Sequence, residues 1–575
     1  MTNSEIAAVF EQVADLLEFQ GANPFRVRAY RNGARAIRDL SESASDLVAR
    51  KDRGLTDIPG IGKDLADKVA TLVQTGSLPL LEELLAQIPE SILAILRVPG
   101  LGPKRTAALH RELGIATLEQ LREACESHRV AALKGFGAKT EAAILRGLEI
   151  AAQAELRVYW AEADEVARAL REHLGSRRAV RQLEFAGSYR RGKDTVGDLD
   201  ILVVADDPGA VMEHFAAFSG VASVLARGDT KMSVRLQSKL QVDLRVVPEE
   251  SFGAALQYFT GSKAHNVVLR GMAKARGLKV NEYGVFRGED RIAGRTEEEV
   301  YAAVDLPWIP PELREARSEF DWAAAGRLPT LIELGDIRGD LHTHSTWSDG
   351  LATIEEMVAA ARQRGYQYLA VTDHSKRATI ANGLSADQLL KQWEDIDRLN
   401  ATLRGFKVLK GVEVDILEAG GLDFPDEVLA QADWVVASIH FGQNQSRERI
   451  TARTIDALAN PYVCAIAHPT GRLINRRNAY EIDLDAVLKA ARDHGKCMEL
   501  NAHPSRLDLD DVACAAAKHH GVPIVISTDA HNINGLDAMR FGVLQARRGG
   551  LSRDNIANCR TWAQMRKLLG KKGGR

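Results

Sequence analysis

Two short segments in the middle of the chain alternate acidic with apolar side chains. Asp198 and Asp200 flank Leu199, and Asp243 stands in a similar apolar segment further along. Alternate side chains of a β-strand share one face, so Asp198 and Asp200 are expected to point the same way. Carboxylates this crowded repel one another unless a cation lies between them, and Mg²⁺ prefers such oxygen ligands. The acids predict metal-assisted phosphoryl transfer, although a solvated turn entering an edge strand would explain Asp198 and Asp200 taken alone.

Histidine is concentrated in the C-terminal part of the chain. Ten of the fifteen histidines lie beyond residue 335, and several of them end short aliphatic segments. A single buried histidine is more often structural, but six histidines with three acids at predicted strand ends indicate a metal centre. Mixed imidazole and carboxylate ligands suit Mn²⁺ or Zn²⁺. The nine residues are His342, His344, Asp349, His374, Glu413, His440, His468, Asp529 and His531.

The elements that position these residues differ between the two halves of the chain. Beyond residue 335, seven aliphatic segments alternate with helical patterns, and the metal-ligand types follow the ends of the aliphatic segments. This order predicts a closed or nearly closed parallel barrel, whose functional residues stand at the carboxyl ends of its strands. Around the three acids, the pattern predicts a helix from Arg157 to Leu174, another near 209–218 and a small sheet.

Length and composition indicate several domains of an ordinary globular protein. The chain has 575 residues, of which 45% are hydrophobic and 27% charged, and three to five domains are expected. No apolar run reaches about 18 residues and the N-terminus has no signal pattern, so neither a membrane span nor export is expected. The five cysteines form no CxxC pair and are expected to be reduced. The net charge of −3 does not by itself indicate nucleic-acid binding, although clustered acids can mask basic patches.

A glycine-rich motif occurs three times in the first 150 residues. Each copy has two glycines separated by one apolar residue, followed by a lysine and a helical pattern. Such glycines allow a tight turn and expose amide groups at a helix N-terminus, where a phosphate binds without any reading of base sequence. One copy alone could serve helix packing, but three copies predict a grip on the DNA backbone. The residues are Gly60, Gly62, Lys63, Gly100, Gly102, Lys104, Gly135, Gly137 and Lys139.

The acidic region resembles the palm of family X DNA polymerases, the polymerase beta family. The resemblance rests on residues 187–204, GSYRRGKDTVGDLDILVV, and on residues 258–270, YFTGSKAHNVVLR. It implies that Asp198 and Asp200 hold two Mg²⁺ or Mn²⁺ ions, and that Asp243 holds the catalytic metal and helps to deprotonate the primer 3′-hydroxyl. It also implies nucleotide contacts from Gly187, Ser188, Arg191, Gly197, Tyr258, Phe259, Gly261, Asn266 and Arg270.

The N-terminal stretch resembles the lyase-like domain of the same family. Arg28, Arg31 and Arg35 share one helix face, which could be a solvated basic face or, as the resemblance implies, a site for the 5′-phosphate of gapped DNA. A Schiff-base lyase needs an amine, and residues 75–82, TGSLPLLE, contain no lysine. We therefore expect deoxyribose-phosphate lyase activity of the usual kind to be absent or weak.

The histidine-rich region resembles the PHP domain, the polymerase-and-histidinol-phosphatase family, which is a distorted (βα)₇ barrel. The nine residues named above fill all of that family's ligand positions, which implies a trinuclear Mn²⁺ or Zn²⁺ cluster and a phosphoesterase. His503 and Arg506 lie just past the sixth predicted strand, where they could touch substrate phosphate or solvent. The expected divisions are a helical lyase-like DNA-binding domain at 1–82, a fingers-like domain with two helix-hairpin-helix motifs at 83–150, an α+β nucleotidyltransferase palm at 151–250, a thumb at 251–320, a linker at 321–335 and the PHP domain at 336–575.

Together the resemblances imply a bacterial repair polymerase that fills gaps, including those of base excision repair, by a two-metal mechanism. The barrel would add a Mn²⁺-dependent 3′→5′ exonuclease or a related 3′-end processing activity. Gapped or nicked DNA and deoxynucleoside triphosphates would be the partners of a monomer in the cytoplasm, associated with the nucleoid when bound to DNA. Two alternatives stay open: a small-molecule phosphatase with an accessory DNA-binding half, and a non-catalytic scaffold that binds DNA ends.

Overall fold

A computed structural model describes the chain except at residues 2, 39, 41–43, 50–53, 59, 99–100, 155–156, 177–178 and 570–575. The chain divides into two compact units, one made of residues 1–155, 333–543 and 553–575 and the other of residues 156–332 and 544–552. The first unit contains the N-terminal helices and the histidine-rich barrel, and the second contains the sheet with the three acids. None of the helices in the described part of the chain has both the length and the apolar character needed to cross a bilayer.

The N-terminal region is a set of short helices around one core. The first helix buries Ile6, Phe10, Val13 and Leu17, a spacing that places them on one face. In each glycine motif one hydrogen bond recurs, because the amides of residues 61, 101 and 136 each donate to the carbonyl three residues earlier at 3.0–3.1 Å. The helices are Asn3–Phe19, Pro24–Arg38, Ala44–Ala49, Lys63–Thr75, Pro79–Gln87, Ile92–Leu96, Pro103–Leu113, Leu118–Glu126 and Gly137–Ala154.

A five-stranded mixed sheet forms the base of the second unit. The strand Asp198–Ala205 pairs antiparallel with Val180–Phe185 and parallel with Gln241–Val246. The sheet continues through Lys231–Leu236 to Val221–Arg227. Leu199 is fully buried, as its alternation with the two acids predicts.

The helix predicted from Arg157 to Leu174 begins later, at Trp160, and ends at Gly175. Arg157 precedes a two-residue strand, Val158–Tyr159, which pairs with Thr195–Val196. The guanidinium of Arg157 donates to the hydroxyl and the carbonyl of Thr195 at 2.9 and 2.6 Å. These bonds hold the backbone extended where the apolar spacing alone favoured a helix. The helix near 209–218 is confirmed as Pro208–Ala216.

Small helices and a three-stranded antiparallel sheet complete the second unit. Its buried core includes Leu269, Val285, Val300 and Tyr301. The span 321–335, expected as a linker, includes the end of a short helix. The helices are Phe252–Thr260, Lys263–Ala275, Glu297–Ala302 and Glu319–Ala324, and the strands are Lys279–Asn281, Gly284–Arg287 and Asp290–Ala293.

The C-terminal region is a seven-stranded parallel sheet whose strands lie side by side in chain order. A parallel bridge between Thr343 and Ala530 brings the first and last strands together, so the sheet is nearly closed. The strands are Gly339–Thr343, Tyr368–Val371, Lys407–Asp415, Trp434–Ser438, Ala465–Ile466, Cys497–Asn501 and Ile524–Ser527. The helices are Ile354–Gln363, Ala386–Thr402, Asp426–Leu429, Arg447–Ala459, Leu484–His494, Asp511–His520, Met539–Arg548 and Trp562–Leu569. The predicted fold class, including this barrel, is confirmed.

Candidate active site and candidate metal centre

The strand register brings the three acids of the second unit to one place on the sheet. Asp200 is paired with Asp243 across the parallel ladder, and Asp198 lies two residues before Asp200 on the same strand. Burial, followed by the charges of Asp198 and Asp243, raises the pKa of Asp200 to about 7. Burial and the charge of Asp243 also raise the pKa of Asp198. Carboxylates that oppose each other's ionisation in this way fit a site for divalent cations.

Position 187 requires glycine, because the backbone there passes close to the side chain of Asp200. Its φ is +64°, and a Cβ at this position would lie 2.6 Å from Asp200 Oδ2. The turn is held by the Ala186 amide, which donates to the Asp200 carbonyl at 2.8 Å. Ser188 follows in the short helix Gly187–Arg190, and Gly197 directly precedes the strand that carries Asp198. A larger residue at position 187 would displace the carboxylate of Asp200.

The two arginines of this turn are both engaged with neighbouring acids. Arg191 donates to Glu315 Oε1 at 3.2 Å and to the Thr260 carbonyl, and burial lowers its pKa. Arg191, predicted to bind a nucleotide phosphate, is therefore paired with Glu315 in this structure. Arg190, for which the sequence predicted no role, makes a bidentate ion pair with Glu297 at 2.7 and 2.8 Å.

The residues of the second resembling segment lie on and between the helices Phe252–Thr260 and Lys263–Ala275. The guanidinium carbon of Arg245 lies 4.4 Å from the ring centroid of Phe259, the residue after Tyr258. Asn266 donates to the Tyr258 carbonyl at 2.7 Å. Gly261 has a φ of +68°, and the side chain of Arg270 is exposed.

His265 lies in the same segment but has a structural environment. It is fully buried, and its ring nitrogens lie 2.9 Å from Glu319 Oε1 and 2.9 Å from the Tyr301 hydroxyl. Lys263, by contrast, is exposed. His265 therefore packs the segment and does not face a ligand.

The glycines and lysines of the helix-hairpin-helix motifs are exposed at the starts of helices. Gly62 and Gly102 are the N-cap residues of the helices that begin at Lys63 and Pro103. Exposed amides and lysines at such positions suit a phosphate backbone. The exposed members of the predicted set are Gly60, Gly62, Lys63, Gly102, Lys104, Gly135, Gly137 and Lys139. Gly100 lies outside the described residues.

The three arginines of the second helix have different surroundings. Arg28 lies over the Phe25 ring, with 5.1 Å from its guanidinium carbon to the ring centroid. Arg31 pairs with Asp15 and Glu18 at 2.9 and 2.8 Å. Arg35 lies 3.8 Å from Asp349 of the barrel. The structure therefore does not bring these three arginines together around one common partner.

The nine predicted ligands of the barrel converge at one end of it. His374 Nδ1 lies 2.8 Å and His468 Nε2 3.0 Å from the oxygens of Glu413. His344 Nε2 lies 3.1 Å from Asp529 Oδ1. Among the described residues, three groups place one ligand atom per residue within 4.8 Å of one another. The groups are His344, Asp349, His374 and His531; His342, His344 and Asp529; and His374, Glu413 and His440.

The donor atoms of this centre fit metal ions better than they fit one another. Both ring nitrogens of His344, Nε2 of His342 and Nδ1 of His374 are buried without a hydrogen bond to the described residues. His374 Nδ1 is 2.8 Å from a Glu413 oxygen but is not in hydrogen-bonding geometry with it. Burial, followed by the charges of His531 and His374, lowers the pKa of His344 to about 3. An imidazole binds a metal through the lone pair of a neutral ring, so His344 is in the protonation state that metal binding requires.

Two further acids, neither of them among the predicted site residues, lie against ligand histidines. Glu499 Oε1 lies 2.7 Å from His342 Nδ1, and Asp415 Oδ1 lies 3.1 Å from His440 Nδ1. A carboxylate at Nδ1 fixes the tautomer so that Nε2 is available to a metal. Asp415 stands two residues after Glu413 on the same strand, so the i, i+2 rule could have found it. Glu499 has no such local signal.

Five models of known protein families match successive parts of the chain. Residues 1–78 match the family described as helix-hairpin-helix domain, and residues 92–149 match the SAM-like helix-hairpin-helix tandem. Residues 157–253 match the DNA polymerase beta palm, residues 255–315 the DNA polymerase beta thumb, and residues 340–503 the PHP domain.

Two relatives illustrate the match at the level of whole proteins. Over 573 residues, the chain is 43% identical to the DNA polymerase/3′-5′ exonuclease PolX of Bacillus subtilis (strain 168), and 99% of each chain is covered. Over 231 residues, it is 34% identical to a probable phosphatase of Thermoanaerobacter sp. (strain X514), and this match covers 38% of this chain and 89% of that protein. The first match spans both the three-acid site and the barrel. The chain therefore belongs to the bacterial family X DNA polymerases that carry a C-terminal PHP domain.

Proposed function

We propose that the protein is a gap-filling DNA polymerase with a 3′→5′ exonuclease in its barrel, acting in DNA repair. The observation that carries the proposal is the end-to-end similarity to a polymerase/exonuclease, combined with intact acids in one unit and nine metal-ligand side chains in the other. Pure binding to DNA ends would have no use for either set. Gapped or nicked DNA and deoxynucleoside triphosphates are the proposed partners of a monomer in the cytoplasm, at the nucleoid.

In the polymerase site, Asp198, Asp200 and Asp243 would hold Mg²⁺ or Mn²⁺. Metal ions bound there stabilise the charge that develops during phosphoryl transfer. Gln241 Nε2 donates to Asp243 Oδ1 at 3.2 Å, which leaves Oδ2 of Asp243 to accept the proton of the primer 3′-hydroxyl. Ser188 and Arg191 would bind the nucleotide phosphates, with Arg191 leaving Glu315 when the nucleotide arrives.

The selection of nucleotide and template would use surfaces that do not read base sequence. Tyr258 and Phe259 would crowd a 2′-hydroxyl, and Asn266 and Arg270 would face the minor groove, where all correct pairs present a similar pattern. The exposed glycines and lysines of the hairpin motifs would hold backbone phosphates on either side of a gap.

In the barrel, the nine side chains would hold up to three Mn²⁺ or Zn²⁺ ions. Such ions supply a nucleophile at neutral pH and stabilise a leaving oxygen. The protein's own contribution is orientation, because Glu499 and Asp415 fix His342 and His440 in the ligating tautomer. We propose Mn²⁺ as the working metal and the DNA 3′-end as the substrate.

Two single substitutions test whether the sites are independent. Wild-type protein, Asp200→Ala and His344→Ala are given one gapped DNA with Mn²⁺, and primer length is followed with and without nucleotides. We expect Asp200→Ala to lose extension but keep shortening, and His344→Ala to do the reverse. Shortening that survives His344→Ala would show that the barrel is not the nuclease. Extension that survives Asp200→Ala would refute the proposed roles of the acids.

The relatives named probable phosphatases favour one second candidate for the barrel, a phosphomonoesterase. In the test, wild-type protein, Asp200→Ala and His344→Ala are each given an oligonucleotide with a 3′-phosphate, an oligonucleotide with an abasic site, and a small aryl phosphate. Release of phosphate from the small ester alone, without cleavage of either DNA, would support a small-molecule phosphatase in place of the nuclease.

A further inference from the structure

Within the first unit, the N-terminal helical domain packs against the ligand end of the barrel. Leu351 of the barrel packs against the N-terminal hydrophobic core, and a Cβ on Gly60 would lie 3.1 Å from Leu351 Cδ1. Glu11 accepts hydrogen bonds from Arg38 at 3.0 Å and from Arg476 of the barrel at 2.6 Å. This apolar and ionic contact brings the helix Pro24–Arg38 to the loop that carries Asp349.

Arg35 is the residue of this helix that reaches the candidate metal centre. Its Nη1 lies 3.8 Å from Asp349 Oδ2, and its side chain is 42% exposed. The other oxygen of Asp349 lies 3.3 Å from His531 Nε2 and 3.6 Å from His374 Nε2. In the described part of the chain, Asp349 is the ionic partner of Arg35. The guanidinium therefore lies beside one predicted metal ligand, Asp349, whose other oxygen faces two more, His374 and His531.

A second guanidinium lies at the same centre. Arg506 Nε lies 3.8 Å from Asp529 Oδ2, so two arginines from different parts of the chain each stand beside a different ligand acid. If Asp349 and Asp529 held metal ions, their negative charge would be shared with those cations, and Arg35 and Arg506 would each keep a positive charge beside a metal ligand. Like charges repel, so this arrangement favours an anion between the arginines and the metals.

Resting on the nuclease function above, we propose that Arg35 binds the DNA phosphate at the barrel's metal centre. The N-terminal domain thereby supplies a substrate-positioning residue to a site that belongs to the barrel. The planar fork of a guanidinium matches two oxygens of one phosphate. Arg31, one turn earlier on the same helix, is already paired with Asp15 and Glu18 and does not take this role.

The test measures binding of a small phosphate-bearing probe without any turnover. Thymidine 5′-monophosphate, the class of product that an exonuclease releases, is titrated by calorimetry into the full chain loaded with Mn²⁺. We expect Arg35→Gln to weaken its affinity about tenfold or more, because a hydrogen bond to a charged group is lost. Arg35→Lys, which keeps the charge without the fork, should fall between Arg35→Gln and wild type.

Three controls locate the effect. Arg492→Gln removes an exposed arginine of the barrel that pairs with Asp493, and it should bind the probe like wild type. His344→Ala disrupts the metal centre and should abolish the binding signal if the probe sits there. Bound Mn²⁺ is measured for every variant, so that a loss of probe affinity is not mistaken for a loss of metal.

The outcomes separate this inference from the proposed function. Equal affinity of wild type and Arg35→Gln at equal Mn²⁺ content, or no binding to wild type, would overturn the role of Arg35. Wild-type protein that binds the probe but shortens no DNA would refute the nuclease, while the role of Arg35 would still be decided by the affinity ratio. A circular dichroism spectrum and a thermal unfolding midpoint of Arg35→Gln that match those of wild type would show that the variant is folded.

Discussion

Replacing Glu499 with glutamine is expected to weaken metal binding at the barrel without unfolding it. Both oxygens of this buried carboxylate accept hydrogen bonds, one from His342 Nδ1 at 2.7 Å and one from the His468 amide at 2.5 Å. A glutamine has only one acceptor oxygen on its amide. The backbone amide of His468 cannot change its proton, so it keeps that oxygen, and the new NH₂ group faces His342 Nδ1.

The consequence falls on the tautomer of His342. With a donor at Nδ1, the imidazole proton moves to Nε2, the nitrogen that faces Glu413 at 3.5 Å and Asp529 at 3.7 Å. That nitrogen can then no longer offer a lone pair to a metal. Loss of such an orienting partner costs about 10–100-fold in metal affinity, equivalent to about 1.4–2.8 kcal/mol.

Calorimetric titration of metal-free protein with Mn²⁺ measures this loss, and Glu394→Gln, an exposed glutamate on a barrel helix, is the matched control. The titration is repeated across pH. Glu499, Asp529 and Glu413 outweigh burial and raise the pKa of His342, so a proton competes with the metal and wild-type affinity should rise with pH. Glu499→Gln should show a shallower rise. Affinity within twofold of wild type would refute the tautomer argument.

Three other predictions concern stability and chemistry elsewhere. In denaturant titrations, Gly253→Ala should destabilise the second unit by about 1–3 kcal/mol or more, because the new Cβ would lie 2.2 Å from the Thr296 carbonyl carbon. Gly271→Ala, whose Cβ would meet nothing within 4 Å, should instead stabilise the helix Lys263–Ala275 by about 0.5–1 kcal/mol. Burial of Glu297 is outweighed by its arginine partners, which lower its pKa from 4.5 to about 2. Ionised Glu297 should therefore contribute roughly 3 kcal/mol to the free energy of unfolding. This contribution should be complete above the unfolded pKa and lost as pH falls from there to about 2. Denaturant titrations across pH should show this loss in wild type but not in Glu297→Gln. Because residues 75–82 contain no lysine, borohydride trapping on abasic DNA should give little adduct, and a strong adduct would contradict the lyase expectation.

Several features followed from the sequence because their signals are local. The alternation of Asp198, Leu199 and Asp200 determines which side chains share a strand face, and the structure agrees. The ends of aliphatic segments located His342 and His374, since parallel strands bring their carboxyl ends together. The glycine motifs predicted where the following helices begin, because the start of a helix depends on residues adjacent in the chain.

The tertiary structure alone decided which distant side chains meet. His342 and Glu499 are 157 positions apart, so no spacing rule pairs them, although that pairing sets the tautomer of a ligand. The sequence likewise did not predict that Arg191 pairs with Glu315. It grouped Arg35 with Arg31 on one helix face, although their acidic partners differ. Local periodicity determines the face of an element, but the partner on that face depends on how elements pack, and packing is settled by the burial of the whole chain.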